Sequence, residues 1–154
     1  MTAGTQSVRI ASNEAIAEFV AKHGRMQEGR ELPTGWRRRR NRRPNRCFEA
    51  AARWCHANGV TYTEGLAEAD GRTWEHAWLT DDEGEVIDLS WRTPGRLYFG
   101  VCIPDAAVAL ASSATDPGGP ALGYLIALGW LPEMVSTADL ELPTQTLQAG
   151  GGER

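Results

Sequence analysis

Between residues 60 and 103 the chain has little choice but to build an antiparallel sheet. Four segments rich in β-branched and aromatic residues follow one another: VTYTEGLAE (60–68), RTWEHAWLT (72–80), EVIDLSW (85–91) and RLYFGVCI (96–103). Turn signals separate them, at Asp70-Gly71, at Asp81-Asp82-Glu83-Gly84 and at Pro94-Gly95. Parallel neighbours need crossovers of about a dozen residues or more, and these links are far shorter, so a meander is expected.

The flanks read as helices. Ser12 or Asn13 is placed to cap a helix running to about Lys22, with Gly24 past its end. Residues 24–45 are polar and hold Pro33, Gly35, an arginine run and Pro44, which predicts one long loop. A second helix, CFEAAARWCHANG, opens at Cys47 with Asn45 as its expected cap and Asn58-Gly59 closing it. Pro104 opens a third helix over DAAVALASS, and an apolar helix is expected over roughly 121–130. The fold class is therefore α+β: a Cys-bearing helix on a small antiparallel sheet of about four strands, with extra helices N- and C-terminal. One domain is expected over 12–135, with flexible termini at 1–11 and 136–154. A chain that is 42% hydrophobic and has six tryptophans can fill such a core.

The order of chemistry-bearing residues is a helix start with Cys47, then a strand with His76, then a strand with Asp88. A thiol at a helix N-terminus meets backbone N–H groups and the positive end of the macrodipole, which favour a thiolate and can later receive an oxyanion. His76 is the candidate base and Asp88 its orienting carboxylate.

Register tests this. A three-residue loop with Gly84 left-handed pairs Asp81 with Glu85, and by extension His76 with Ser90. His76 and Asp88 then share a sheet face as diagonal neighbours, with Trp74, Trp78 and Val86. Ala77, Leu79, Ile87 and Leu89 take the other face. A two-residue loop would send Asp88 to the wrong side.

The stretch NRCFEAAARWCHANGVTYTEGLAEADGRTWEHAWLTDDEGEVIDLSW resembles the core of the transglutaminase-like, papain-related superfamily. The matching pieces are Cys47 opening a helix, Gly59-Val60, Glu64-Gly65, His76-Ala77-Trp78 and Asp88-Leu89-Ser90, over about residues 45–91. The resemblance implies acyl transfer through a thioester, with protease, amidase, deamidase or acyltransferase outcomes. It also implies Cys47, His76 and Asp88 as the triad. Papain-type enzymes place a Gln shortly before the Cys as a second oxyanion donor. Here the nearby amides are Asn41 and Asn45, with Asn41 the candidate, and Gln27 is far away in sequence.

Trp74, Trp78, Glu64 and Arg46 are candidate substrate contacts. For Glu64 the plainer reading is a solvated residue or the partner of an arginine. Cys55, at the far end of its helix, is expected to be inert, and His23 and His56 to be structural.

Net charge is −4, yet seven of the 16 basic residues crowd into 37–46. Arg37, Arg38, Arg39, Arg40, Arg42 and Arg43 offer either a wall recruiting an acidic substrate or a phosphate-binding loop. The second option supports the alternative of a non-enzymatic nucleic-acid or acidic-protein binding module. The plainest reading is a solvated loop.

Cys47, Cys55, His56, His76 and Cys102 are metal-ligand types, but no CxxC or HxxxH spacing links them, so no metal or cofactor is expected. Three cysteines, the lack of a secretory signal and the lack of a long apolar run point to free thiols, a cytoplasmic location and no membrane association.

Overall fold

The computed structural model describes residues 8–37, 46–57, 59–116, 118–134 and 137–140. It is an α+β fold with helices α1 (Asn13–His23), α2 (Cys47–Trp54), α3 (Asp105–Ala114) and α4 (Leu122–Ala127). The strands are β1 (Arg25–Glu28), β2 (Val60–Ala69), β3 (Arg72–Asp81), β4 (Val86–Ile87) and β5 (Leu97–Ile103). Ser12 caps α1 by accepting from the Ala15 N–H at 3.2 Å, as its sequence predicts. Arg46 rather than Asn45 holds the N-cap position of α2, and Asn45 lies outside the described residues. Of the segment 1–11 expected to be loose, residues 8–11 are described, and the Ala11 N–H donates to the Gly123 carbonyl at 2.9 Å.

The sheet is fully antiparallel, in the order β1-β5-β2-β3-β4. Two expectations are corrected. The segment 24–45 is not all loop, because Arg25–Glu28 pairs with β5 as a fifth strand. Its residues, RMQE, carry no apolar alternation, so pairing with a neighbour rather than patterning makes it a strand. The meander also breaks after β4, since β5 returns to pair with β2. The link 88–96 carries the chain across, and the Arg96 N–H donates to the Glu68 carbonyl at 2.7 Å where it arrives.

The hairpins behave as their turn residues dictate. Asp70 and Gly71 both take positive φ, 52° and 71°, the pattern of a type I′ turn. Gly84 has φ 79°, and the Asp81 N–H donates to the Glu85 carbonyl at 3.0 Å, so the three-residue loop forms. Leu79 then pairs with Ile87 and Thr80 with Val86, the register that puts His76 and Asp88 on one face.

The two faces have different jobs. Ala77, Leu79, Ile87 and Leu89 pack with Tyr62, Val101 and Ile103 against the helices, forming the main core. The opposite face gathers Ala67, Trp78, Val86 and Tyr98, with Trp91 against them. The sheet curls around this second face strongly enough for Gln27 on β1 to reach β3, where its Oε1 accepts from the Trp78 indole N–H at 2.9 Å. Two glycines cross the sheet in the row of His76, since Gly65 pairs with both His76 and Gly100. A Cβ on Gly100 would meet the Trp78 ring at 2.6 Å and the Glu64 carbonyl oxygen at 2.9 Å. Gly100→Ala will therefore destabilise the fold by about 1–3 kcal/mol, read as a lower urea midpoint at unchanged m-value.

Candidate active site

The hydrogen bonds of Asp88 end β4. Asp88 Oδ1 accepts from the backbone N–H groups of Ser90 (3.0 Å) and Trp91 (3.2 Å) and from the Ser90 hydroxyl (3.0 Å). These bonds fold the chain back on itself, so the strand expected over 85–91 stops at Ile87 and Ser90 makes no ladder pair with His76. The other oxygen, Oδ2, accepts from His76 Nε2 and from the Tyr98 hydroxyl, each at 2.8 Å.

Asp88 and His76 are both buried, and so is Cys47. Among described residues, β3 has ladder partners on its β4 side only at Leu79 and Thr80. Its edge is therefore open at His76 and Ala77. The N-terminus of α2 lies at this opening, and Cys47, Ala77, Trp78, Leu89 and Ser90 line one crevice there, too narrow to hold a water molecule. Cys47 lies near enough to His76 to help raise the imidazole pKa. Asp88 occupies Nε2, so Nδ1 is the ring nitrogen that the carboxylate does not take.

Electrostatics follow from this placement. Burial opposes a charged imidazole at His76, but the hydrogen bonds and charges of Asp88 and Cys47 outweigh it and raise the pKa to about 9. Burial likewise opposes a charged Asp88, and there the bonds from His76, Tyr98 and Ser90 prevail and hold the carboxyl below its usual value. Trp91 stacks on the imidazole with ring centroids 3.9 Å apart and an interplanar angle of 22°, a geometry that favours a cationic ring.

No protein-family model, curated protein or solved structure matches this chain.

The remaining expected site residues divide. Trp74 is exposed on the His76 face and stays available to a ligand. Trp78 is buried inside the curl, so it supports the imidazole wall and cannot serve as an open substrate contact. Glu64 is neither solvated nor paired with an arginine. It lies on the helix face, accepting from the Tyr62 hydroxyl (2.7 Å) and from the N–H groups of Ala121 (2.9 Å) and Leu122 (3.1 Å). It therefore ties β2 to the start of α4. Burial pushes its pKa up to about 7, against the pull of those three donors.

An acid raised in the folded state loses stability as pH climbs from its unfolded pKa, about 4.5, to its folded one. Glu64→Gln will remove roughly 3 kcal/mol of that decline between pH 4.5 and 7, measured by urea unfolding across the range.

Arg46 pairs with Glu49 at 3.0 Å, and with Arg37, Arg53 and Trp54 it lines a cavity of about 90 Å³. This cavity shares Ala50 and Leu89 with the Cys47 crevice. Asn41 and Arg38, Arg39, Arg40, Arg42 and Arg43 lie outside the described residues. Gln27 is no substitute oxyanion donor, because its amide nitrogen already donates to the Gly84 carbonyl at 2.7 Å. The other thiols differ from Cys47: burial and the neighbouring Asp105 push Cys55 up to about 11, and Cys102 is exposed on β5.

Sequence reasoning missed Tyr98 and Trp91 as parts of the site. Trp91 follows Asp88 by three residues, but its stacking depends on the fold-back after Ile87. Tyr98 reaches Asp88 only because β5 pairs with β2.

Proposed function

We propose that this chain is a thiol enzyme of the transglutaminase-like, papain-related kind, acting on an amide or peptide bond through a Cys47–His76–Asp88 triad. The observation that carries the reading is a buried imidazole bonded at Nε2 to a buried carboxylate, with Cys47 near it at the start of α2. In this reaction the Cys47 sulfur attacks the carbonyl carbon and the Cys47 N–H receives the oxyanion. The amine leaves with a proton from His76, and a thioester to Cys47 remains. Water or an amine, deprotonated by His76, then attacks the thioester and frees the thiol. Asp88, held by Tyr98, Ser90 and Trp91, keeps the ring oriented and stabilises its charged form. Such a thiol suits a reducing, cytoplasmic setting, and no helix among the described residues is long and apolar enough to cross a membrane.

The test is mass spectrometry of the intact protein and its peptides after incubation with cell lysate. An acyl adduct should appear on the Cys47 peptide of the wild type and be absent in Cys47→Ala. Adducts spread equally over Cys47 and Cys102 would defeat the proposal.

The cavity lined by Arg37, Arg46, Arg53 and Trp54 favours a second reading, a module that binds acidic protein or nucleic acid. That reading requires binding that weakens steeply with salt and is indifferent to Cys47→Ala.

A further inference from the structure

A second cluster of metal-ligand side chains lies at the opposite end of α2. As the helix ends, consecutive residues Cys55 and His56 turn toward Asp105, the first residue of α3. Cys55 Sγ, a ring nitrogen of His56 and a carboxylate oxygen of Asp105 all lie within 4.8 Å of one another. His56 Nδ1 is 3.4 Å from Asp105 Oδ2. Donors bound tetrahedrally at about 2.0–2.3 Å are separated by roughly 3.3–3.7 Å, so the His–Asp edge already has the required length. The His56 and Asp105 side chains are exposed and free to close the remainder by rotation, while the buried Cys55 anchors the site.

From this geometry we infer that Cys55, His56 and Asp105 form a three-ligand site for a borderline divalent cation such as zinc, with an outward fourth position for water. The chemistry of the donors selects the ion. One thiolate, one imidazole and one carboxylate suit zinc or cobalt and disfavour magnesium or calcium, which take oxygen ligands.

The surroundings favour a cation. The last carbonyls of α2 carry the negative end of its macrodipole, and the Cys55 thiol donates to one of them, that of Ala52, at 3.1 Å. Asp105 adds a full negative charge. Burial, and after it Asp105, favours the protonated thiol when no cation is present. Binding therefore displaces the thiol proton to solvent and forms the metal–sulfur bond in its place. A bound ion would pin the end of α2 to the start of α3 without touching His76 or Cys47. Sequence spacing hid this cluster because Asp105 lies 49 residues beyond His56 and joins it only through the packing of α3.

Cobalt(II) is the probe, because thiolate-ligated tetrahedral cobalt shows visible ligand-field bands and a near-ultraviolet sulfur-to-metal charge-transfer band. Titrating the full chain with Co(II) should give both at one equivalent, and Zn(II) should bleach them. Cys47→Ala should retain them. Cys55→Ser should lose the charge-transfer band. His56→Ala and Asp105→Asn, both at exposed positions, should each weaken binding by at least about tenfold. The site is refuted if the wild type shows no charge-transfer band, if the band disappears with Cys47→Ala, or if neither exposed-ligand variant changes the affinity.

Discussion

Asp88→Ala will destabilise the fold by about 3–5 kcal/mol, the cost typical of removing one partner from a buried ion pair. The carboxylate accepts from His76, Tyr98, Ser90 and the Trp91 N–H, so its loss orphans donors from β3, β5 and the fold-back after β4 at once. The measurement is equilibrium urea unfolding by tryptophan fluorescence, which Trp78 and Trp91 beside the site should report. A loss under 1 kcal/mol would mean that the pair is not formed in solution. Asp88→Asn should cost less, because its amide oxygen still accepts from Ser90 and Trp91.

The same pair gives stability a pH signature. His76 is raised when folded, so its contribution is complete below its unfolded pKa of 6.5 and is lost as pH rises through about 9. Asp88 is lowered, so its contribution is present above its usual 3.8 and is lost as pH falls through the depressed folded value. Glu64 runs against Asp88, since stability there falls as pH rises from 4.5 to about 7. Stability should thus peak in mildly acid solution and fall toward pH 9. In Asp88→Ala the decline between pH 7 and 9 should shrink, because only Cys47 is left to raise His76, while the Glu64 decline remains.

What could be read from the sequence was local, and what could not was contact made across the curl. Gly84 is recognisable as the left-handed residue of a three-residue loop, and that one conformation fixed the parity of His76 and Asp88. Ser12, Pro104 and the Asp70-Gly71 pair likewise mark their element ends through their own chemistry. By contrast, β1 has no pattern of its own and exists because β5 offers it an edge. Glu64 looked solvent-facing beside Gly65, yet the start of α4, more than 50 residues away, supplies two of its donors. Trp78 was legible as a neighbour of His76 in face but not in burial. Gly100, on a strand that pairs with β2 out of sequence order, is what makes room for its ring.

Cys47 should react with iodoacetamide at pH 7 at least about tenfold faster than Cys102, although Cys102 is the exposed thiol. A thiol of ordinary pKa, about 8.5, is only ~3 % ionised at pH 7. An imidazolium that persists to about pH 9 keeps a positive charge near the Cys47 sulfur across the whole neutral range. His76→Ala should erase the advantage at pH 7. At pH 10, where ordinary thiols are ionised without help, the two proteins should label Cys47 at similar rates. This crossing of rates with pH separates an ion pair from mere accessibility, since a change in access would shift the rate equally at both values. Rates for Cys47 that match those of Cys102, or that ignore His76→Ala at pH 7, would show that the thiol and the imidazole do not act together.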